Sequence, residues 1–163
     1  MPGGLGLSGA PPRGSRRAPR SAQHLILLAD TSVWAWANRD PGLRHELAEL
    51  IAEDRIATCH PVMLELLHAA RTPDEYHARR ADLMQLRQCP IGPAEWARAL
   101  QVYDLLAAQG ALHQRQVKHP DLLISVAAEA AGVPVLHYDE DYDRLSVVTG
   151  QDTRRARPRG TLG

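Results

Sequence analysis

Four carboxylates carry most of the chemistry legible in this chain. Asp30 closes an apolar run in LILLADTSVW, Glu65 lies within HPVMLELLHAAR, Asp121 opens HPDLLISVAAEAAG, and Asp139 follows an apolar run in VPVLHYDEDYDRL. An ionised carboxylate set against apolar neighbours is costly to desolvate unless a positive group compensates it. Arginines are scarce beside these runs, so a divalent cation is the better compensator. Mg2+ and Mn2+ favour carboxylate oxygens and usually retain several waters. A cluster of this kind suits metal-assisted hydrolysis of a phosphodiester, because the ion activates water and offsets charge developing on the phosphoryl oxygens. No Ser/His/Asp or Cys/His arrangement competes with that reading.

Each acid also has a plainer role open to it. Asp30 is placed to cap a helix, a common duty for Asp. Asp121 would favour the dipole of a first turn. Glu65 could be solvated, and DEDYD could be a charged surface turn, with Asp139 its first candidate for function and Asp141 its second.

The elements that must position these residues alternate. Residues 25–29 form a continuous apolar run of strand length, which suits a buried parallel strand. A helix is expected after Asp30 with Thr31 or Ser32 as its cap, and Pro41-Gly42 punctuates it. Further strands are expected at 55–59, 86–91 and 133–137, with Val147-Val148 as a last short one. Helices open at Pro61, after Thr72-Pro73, at Pro93 and at Pro120, since proline in a first turn lacks only a donor that would go unpaired. Asp30 and Asp139 then follow strands, and Glu65 and Asp121 fall in first turns of helices. The pattern predicts an α/β/α three-layer sandwich on a mostly parallel sheet. Ligands of such sheets gather at the carboxyl ends of the strands.

A length of 163 residues fits one domain with its own core. Charge balances at 19 basic and 19 acidic residues, but unevenly: residues 21–150 hold 11 basic and 18 acidic groups, and both ends are arginine-rich. An acidic body argues against a simple basic groove for nucleic acid. Residues 1–20, rich in Gly, Pro, Arg and Ser, read as a disordered tail; 21–150 as the domain; 151–163 as a basic C-terminal tail. Lys118 is the one lysine. Cys59 and Cys89 show no paired metal-ligand spacing, read as small buried groups, and fit a reducing cytoplasm. No run is long enough to cross a membrane. Arg16-Arg17 precedes too short an apolar stretch for an export signal. Trp34 and Trp36, two residues apart, face differently and suit packing better than base stacking.

The motifs LLADTSVWAW, PVMLELLHAAR and HPDLLISVAAEAAGVPVLHYDEDYDRL resemble, in order and over about residues 25–148, a PIN-domain ribonuclease. More narrowly, they resemble the VapC-type toxin of bacterial toxin–antitoxin modules. The resemblance implies Mg2+- or Mn2+-dependent endonuclease activity on RNA, with Asp30, Glu65, Asp121 and Asp139 as the catalytic acids. Asp30, Asp121, Asp139 and Asp141 would hold metal. It also implies a homodimer and a small antitoxin that plugs the site. Leu43, Leu47, Leu50, Val62, Leu66 and Leu67 are offered as an apolar excess for the dimer surface. One departure is His137, where many relatives carry Thr or Ser. Two rival readings stand beside this one: a phosphatase or phosphotransferase with Asp30 as nucleophile, disfavoured by Ser at position 32, and a catalytically silent PIN-like binding protein.

Overall fold

A computed structural model describes residues 25–162. The expected disordered tail at 1–20 lies outside them. Five short strands, β1 (Leu27–Ala29), β2 (Ile56–Thr58), β3 (Arg87–Gln88), β4 (Val135–His137) and β5 (Thr153–Arg155), form one sheet in the order β3-β2-β1-β4-β5. Every pairing is parallel. Seven helices connect them: α1 (Thr31–Ala37), α2 (Pro41–Ala52), α3 (His60–His68), α4 (Pro73–Gln85), α5 (Pro93–Ala108), α6 (His119–Ala131) and α7 (Glu140–Thr149).

Side chains alternate across the sheet, as the strand period of two requires. Leu28, Ala57 and Val135 enter a core shared with α5, α6 and α7, while Leu27, Ala29, Ile56 and Leu136 enter a second core with α1 and α2. Two packed faces make the sandwich three-layered. Helix starts follow local chemistry. Proline occupies the first turn of α2, α3, α4, α5 and α6. Asp40 accepts from the Leu43 amide (3.1 Å), and Thr72 from the Glu75 amide (3.1 Å). Gly132 ends α6 at φ +66°, a left-handed conformation that disfavours a Cβ. Cys59 and Cys89 are free and buried, and burial pushes the Cys59 thiol up to about 12.

Three expectations change. Val147-Val148 is not a strand but the last full turn of α7, with Val148 packed on the core and Val147 exposed. The last strand instead falls inside the stretch read as a basic tail. Thr153–Arg155 pairs with β4, and its polar edge position hides it from any search for apolar alternation. Leu43, Leu47, Val62 and Leu67 are buried, and Leu50 and Leu66 pack against the core, so this set is interior and not a surplus surface.

Candidate metal centre

Strand order reverses direction between β1 and β4: β1, β2 and β3 run outward one way, β4 and β5 the other. A crevice opens at the carboxyl ends of strands at such a point. Asp30 follows β1 and Asp139 stands two residues beyond β4. Sheet topology therefore brings them together across more than 100 residues of sequence.

Asp139 caps α7, its Oδ1 accepting from the Asp141 amide at 3.0 Å. That cap fixes the first turn of α7 and turns Asp141 inward. Asp121, in the first turn of α6, is 6 % exposed and Asp141 4 %. Asp121, Asp139 and Asp141 each offer a carboxylate oxygen, and the three atoms lie within 4.8 Å of one another. Asp121 Oδ2 is buried without a hydrogen-bond partner. An acceptor left so is costly unless something else fills its lone pairs. Its nearest cation is Lys118 Nζ, at 3.8 Å. Burial, then the charge of Asp30, pushes the Asp121 carboxyl up to about 8, against the pull of Lys118. Burial also raises Asp139, but the Asp141 amide and the Lys118 ammonium outweigh it and hold that carboxyl below its ordinary value. Three converging oxygens, one of them unsatisfied, fit a hard divalent cation.

Asp30 is 3 % exposed and sits one step back from this trio. It caps α1 itself, Oδ2 accepting from the Ser32 amide (2.9 Å) and hydroxyl (2.5 Å). Neither Thr31 nor Ser32 is the cap; the Ser32 hydroxyl instead accepts from the Tyr138 amide at 3.0 Å. Asp30 Oδ1 accepts from the Tyr142 hydroxyl at 2.7 Å, which also lies 3.5 Å from Asp121 Oδ1. Tyr142 is wholly buried, and burial followed by the charge of Asp30 raises its phenol far above the usual range, so it remains a donor. One hydroxyl thus ties Asp30 to Asp121.

Glu65 stands apart. It lies in the second turn of α3, not the first, is exposed, and accepts from the Thr31 hydroxyl. It borders a cavity of about 990 Å³ between α1, α3 and α4, lined also by Trp34, Leu66, Arg71 and Arg79. None of the aspartate trio lines that cavity. Glu140 and Asp143 are half-buried and paired, with Arg144 and Arg159 and with Arg155 respectively. His137 is buried beneath the site, its Nδ1 2.8 Å from the Asp139 carbonyl oxygen and its ring 5.0 Å from that of Tyr142. The unusual residue is absorbed by packing, and burial lowers its pKa.

Tyr142 and Lys118 are the functional candidates that motif reading passed over. A signal existed for each: Tyr142 is three residues after Asp139 on one helix face, and the sole lysine stands three before Asp121.

Fold and site together define an α/β domain with an acidic, cation-ready crevice at its topological switch point. The profile of the family described as PIN domain matches residues 27–148. Ribonuclease VapC18 of Mycobacterium tuberculosis is 44 % identical over 138 residues, covering 85 % of this chain and all of that protein. Ribonuclease VapC51 of the same species is 36 % identical, covering 85 % of this chain and 98 % of that one. In structure, the chain resembles VapBC2 from Rickettsia felis, solved bound to a DNA fragment from its promoter (TM-score 0.63, 14 % identity, 80 % and 98 % covered), a likeness of fold. The chain belongs to the PIN-domain family and, within it, to the VapC ribonucleases.

Proposed function

We propose that this protein is a metal-dependent endoribonuclease, the toxin of a toxin–antitoxin module. The observation that carries the reading is the buried, unpartnered Asp121 oxygen converging with Asp139 and Asp141 in a chain 44 % identical to a ribonuclease. Asp121, Asp139 and Asp141 would hold Mg2+ or Mn2+, with Asp30 bearing on the same ion beside Asp121. A bound divalent ion supplies water activation and charge neutralisation at the phosphoryl group. Asp30 is held by Ser32 and Tyr142, so its geometry is set before substrate arrives. Glu65, held by Thr31, orients the attacking water or holds a second ion. No side-chain nucleophile is required. Asp30 would be a poor one: it is buried, and both its oxygens already accept hydrogen bonds.

The partners we propose are RNA, a small antitoxin and a second copy of the chain. An antitoxin side chain of Arg or Lys would be drawn to the acidic crevice. The cavity beside Glu65 offers apolar wall, arginines and the buried, unpartnered Trp34 Nε1 to a bound segment. For the homodimer, the supporting residues are the exposed Leu64, Trp96, Leu100 and Val147. The location we propose is the cytoplasm, in keeping with two free cysteines. Among the described residues, no helix is long and apolar enough to cross a membrane.

The test is cleavage of RNA by purified protein, lost with a chelator and restored by Mg2+ or Mn2+. Absence of cleavage with either ion overturns the enzyme reading, and a phosphoaspartate trapped at Asp30 would replace it with a phosphotransferase. Co-expression with a neighbouring short reading frame should give a co-purifying complex and relieve growth arrest.

A further inference from the structure

The aspartate trio already contains a cation. Lys118 Nζ donates to Asp139 Oδ2 at 2.9 Å and lies 3.8 Å from the unpartnered Asp121 Oδ2. Its backbone amide donates to Asp141 Oδ2 at 3.2 Å, so one residue touches all three acids. The amide contact fixes where the stem begins. The side chain itself is 67 % exposed, against 9 % for that of Asp121, so the ammonium reaches in from solvent and is free to leave. An ammonium is a compact point charge with rotatable donors and can stand between carboxylates as a metal ion does; a guanidinium, planar and forked, fits such a place poorly. Lys118 is the only lysine in a chain with 19 basic residues.

We propose that Lys118 is the built-in counter-ion of the metal centre: a divalent cation must displace its ammonium to bind, and the displaced ammonium then contacts an RNA phosphate at the same crevice. The inference rests on the metal-dependent ribonuclease reading. Two cations cannot share the Asp121–Asp139 gap at full strength, because their repulsion at that spacing is strong. Once the ion is seated, the ammonium remains tethered at the mouth of the crevice, where the reacting phosphate must lie to meet activated water.

The experiment begins without RNA. Protein free of tag lysines and labelled with [13Cε]lysine gives one lysine signal, which should shift on adding Mg2+ and saturate at the Mg2+ concentration found by calorimetry. Lys118→Met should bind Mg2+ roughly threefold to tenfold more tightly, the scale of one near-surface charge pair, and melt lower than wild type when metal-free. Lys118→Arg, which keeps the charge, should fall between them. A stationary signal, or equal affinity in wild type and Lys118→Met, overturns the counter-ion; a lower melting temperature with unchanged affinity assigns Lys118 a structural role instead. If neither protein binds Mg2+ or Mn2+, the metal-centre reading fails with it. At saturating Mg2+, Lys118→Met should raise KM for RNA severalfold more than it lowers kcat, and an unchanged KM overturns the phosphate contact.

Discussion

Asp121 and Tyr142 set the energetics of the site at the level of single residues. Asp121 is held in a place that disfavours its charge, with an oxygen left for a ligand. Asp121→Asn should therefore abolish metal-dependent cleavage while the metal-free protein melts no lower, since the amide keeps the shape and removes repulsion with Asp30. Retained cleavage in a folded variant would refute the assignment. Tyr142→Phe deletes the one donor to Asp30 Oδ1 and leaves that buried oxygen short of a partner. The expected cost is about 1–3 kcal/mol in denaturant unfolding, with weaker Mg2+ binding as Asp30 loosens. Unchanged stability and Mg2+ affinity would show that the hydroxyl is incidental.

At the level of elements, the site depends on helix starts and on one polar edge strand. α1 and α7 begin on Asp30 and Asp139, so the residues that cap the helices are those that face the crevice. β5 supports β4 from outside. The Ala156 amide donates to the His137 carbonyl at 2.8 Å, Arg155 pairs with Asp143 on α7, and Arg157 pairs with Glu46 on α2 at 2.8 Å. Removing residues 151–163 should destabilise the protein by roughly 2–4 kcal/mol, at about 1 kcal/mol for each buried hydrogen bond given up. Urea unfolding measures this, and an unchanged midpoint would show β5 to be a dispensable edge.

At the level of the whole molecule, the acidic crevice makes stability depend on pH and on metal. Asp121 has a folded pKa of about 8, above its ordinary 3.8, so the folded chain binds more protons than the unfolded one between those values. Metal-free stability should consequently fall as pH rises, at up to about 1.4 kcal/mol per pH unit from this group. The window to measure is pH 6.5–8, above the range in which the buried, low-pKa His137 contributes the opposite slope. Melting temperature should drop across that window in wild type and stay flatter in Asp121→Asn. Saturating Mg2+ should reverse the trend, because the ion binds the ionised carboxylate and only the folded chain presents the site. A melting temperature that rises with pH in metal-free buffer would contradict the raised carboxyl.

The sequence by itself determined the class of fold and the identity of the acids. Apolar runs of strand length, prolines at helix starts and carboxylates beside apolar segments are local features, and each states its own cost or preference wherever the chain goes. Asp30, Glu65, Asp121, Asp139 and Asp141 were all legible in that way, and His137 stood out as unusual. Tertiary structure alone decided how they group. Asp121, Asp139 and Asp141 converge, while Asp30 joins them through a buried tyrosine and Glu65 stands across Thr31 beside a separate cavity. Spacing along the chain carries no record of which oxygen ends up unpartnered or which ammonium reaches it, since those depend on where β1 and β4 meet. The edge strand Thr153–Arg155 was hidden for the same reason: its place is set by β4's open hydrogen bonds and by Asp143, not by any apolar pattern of its own.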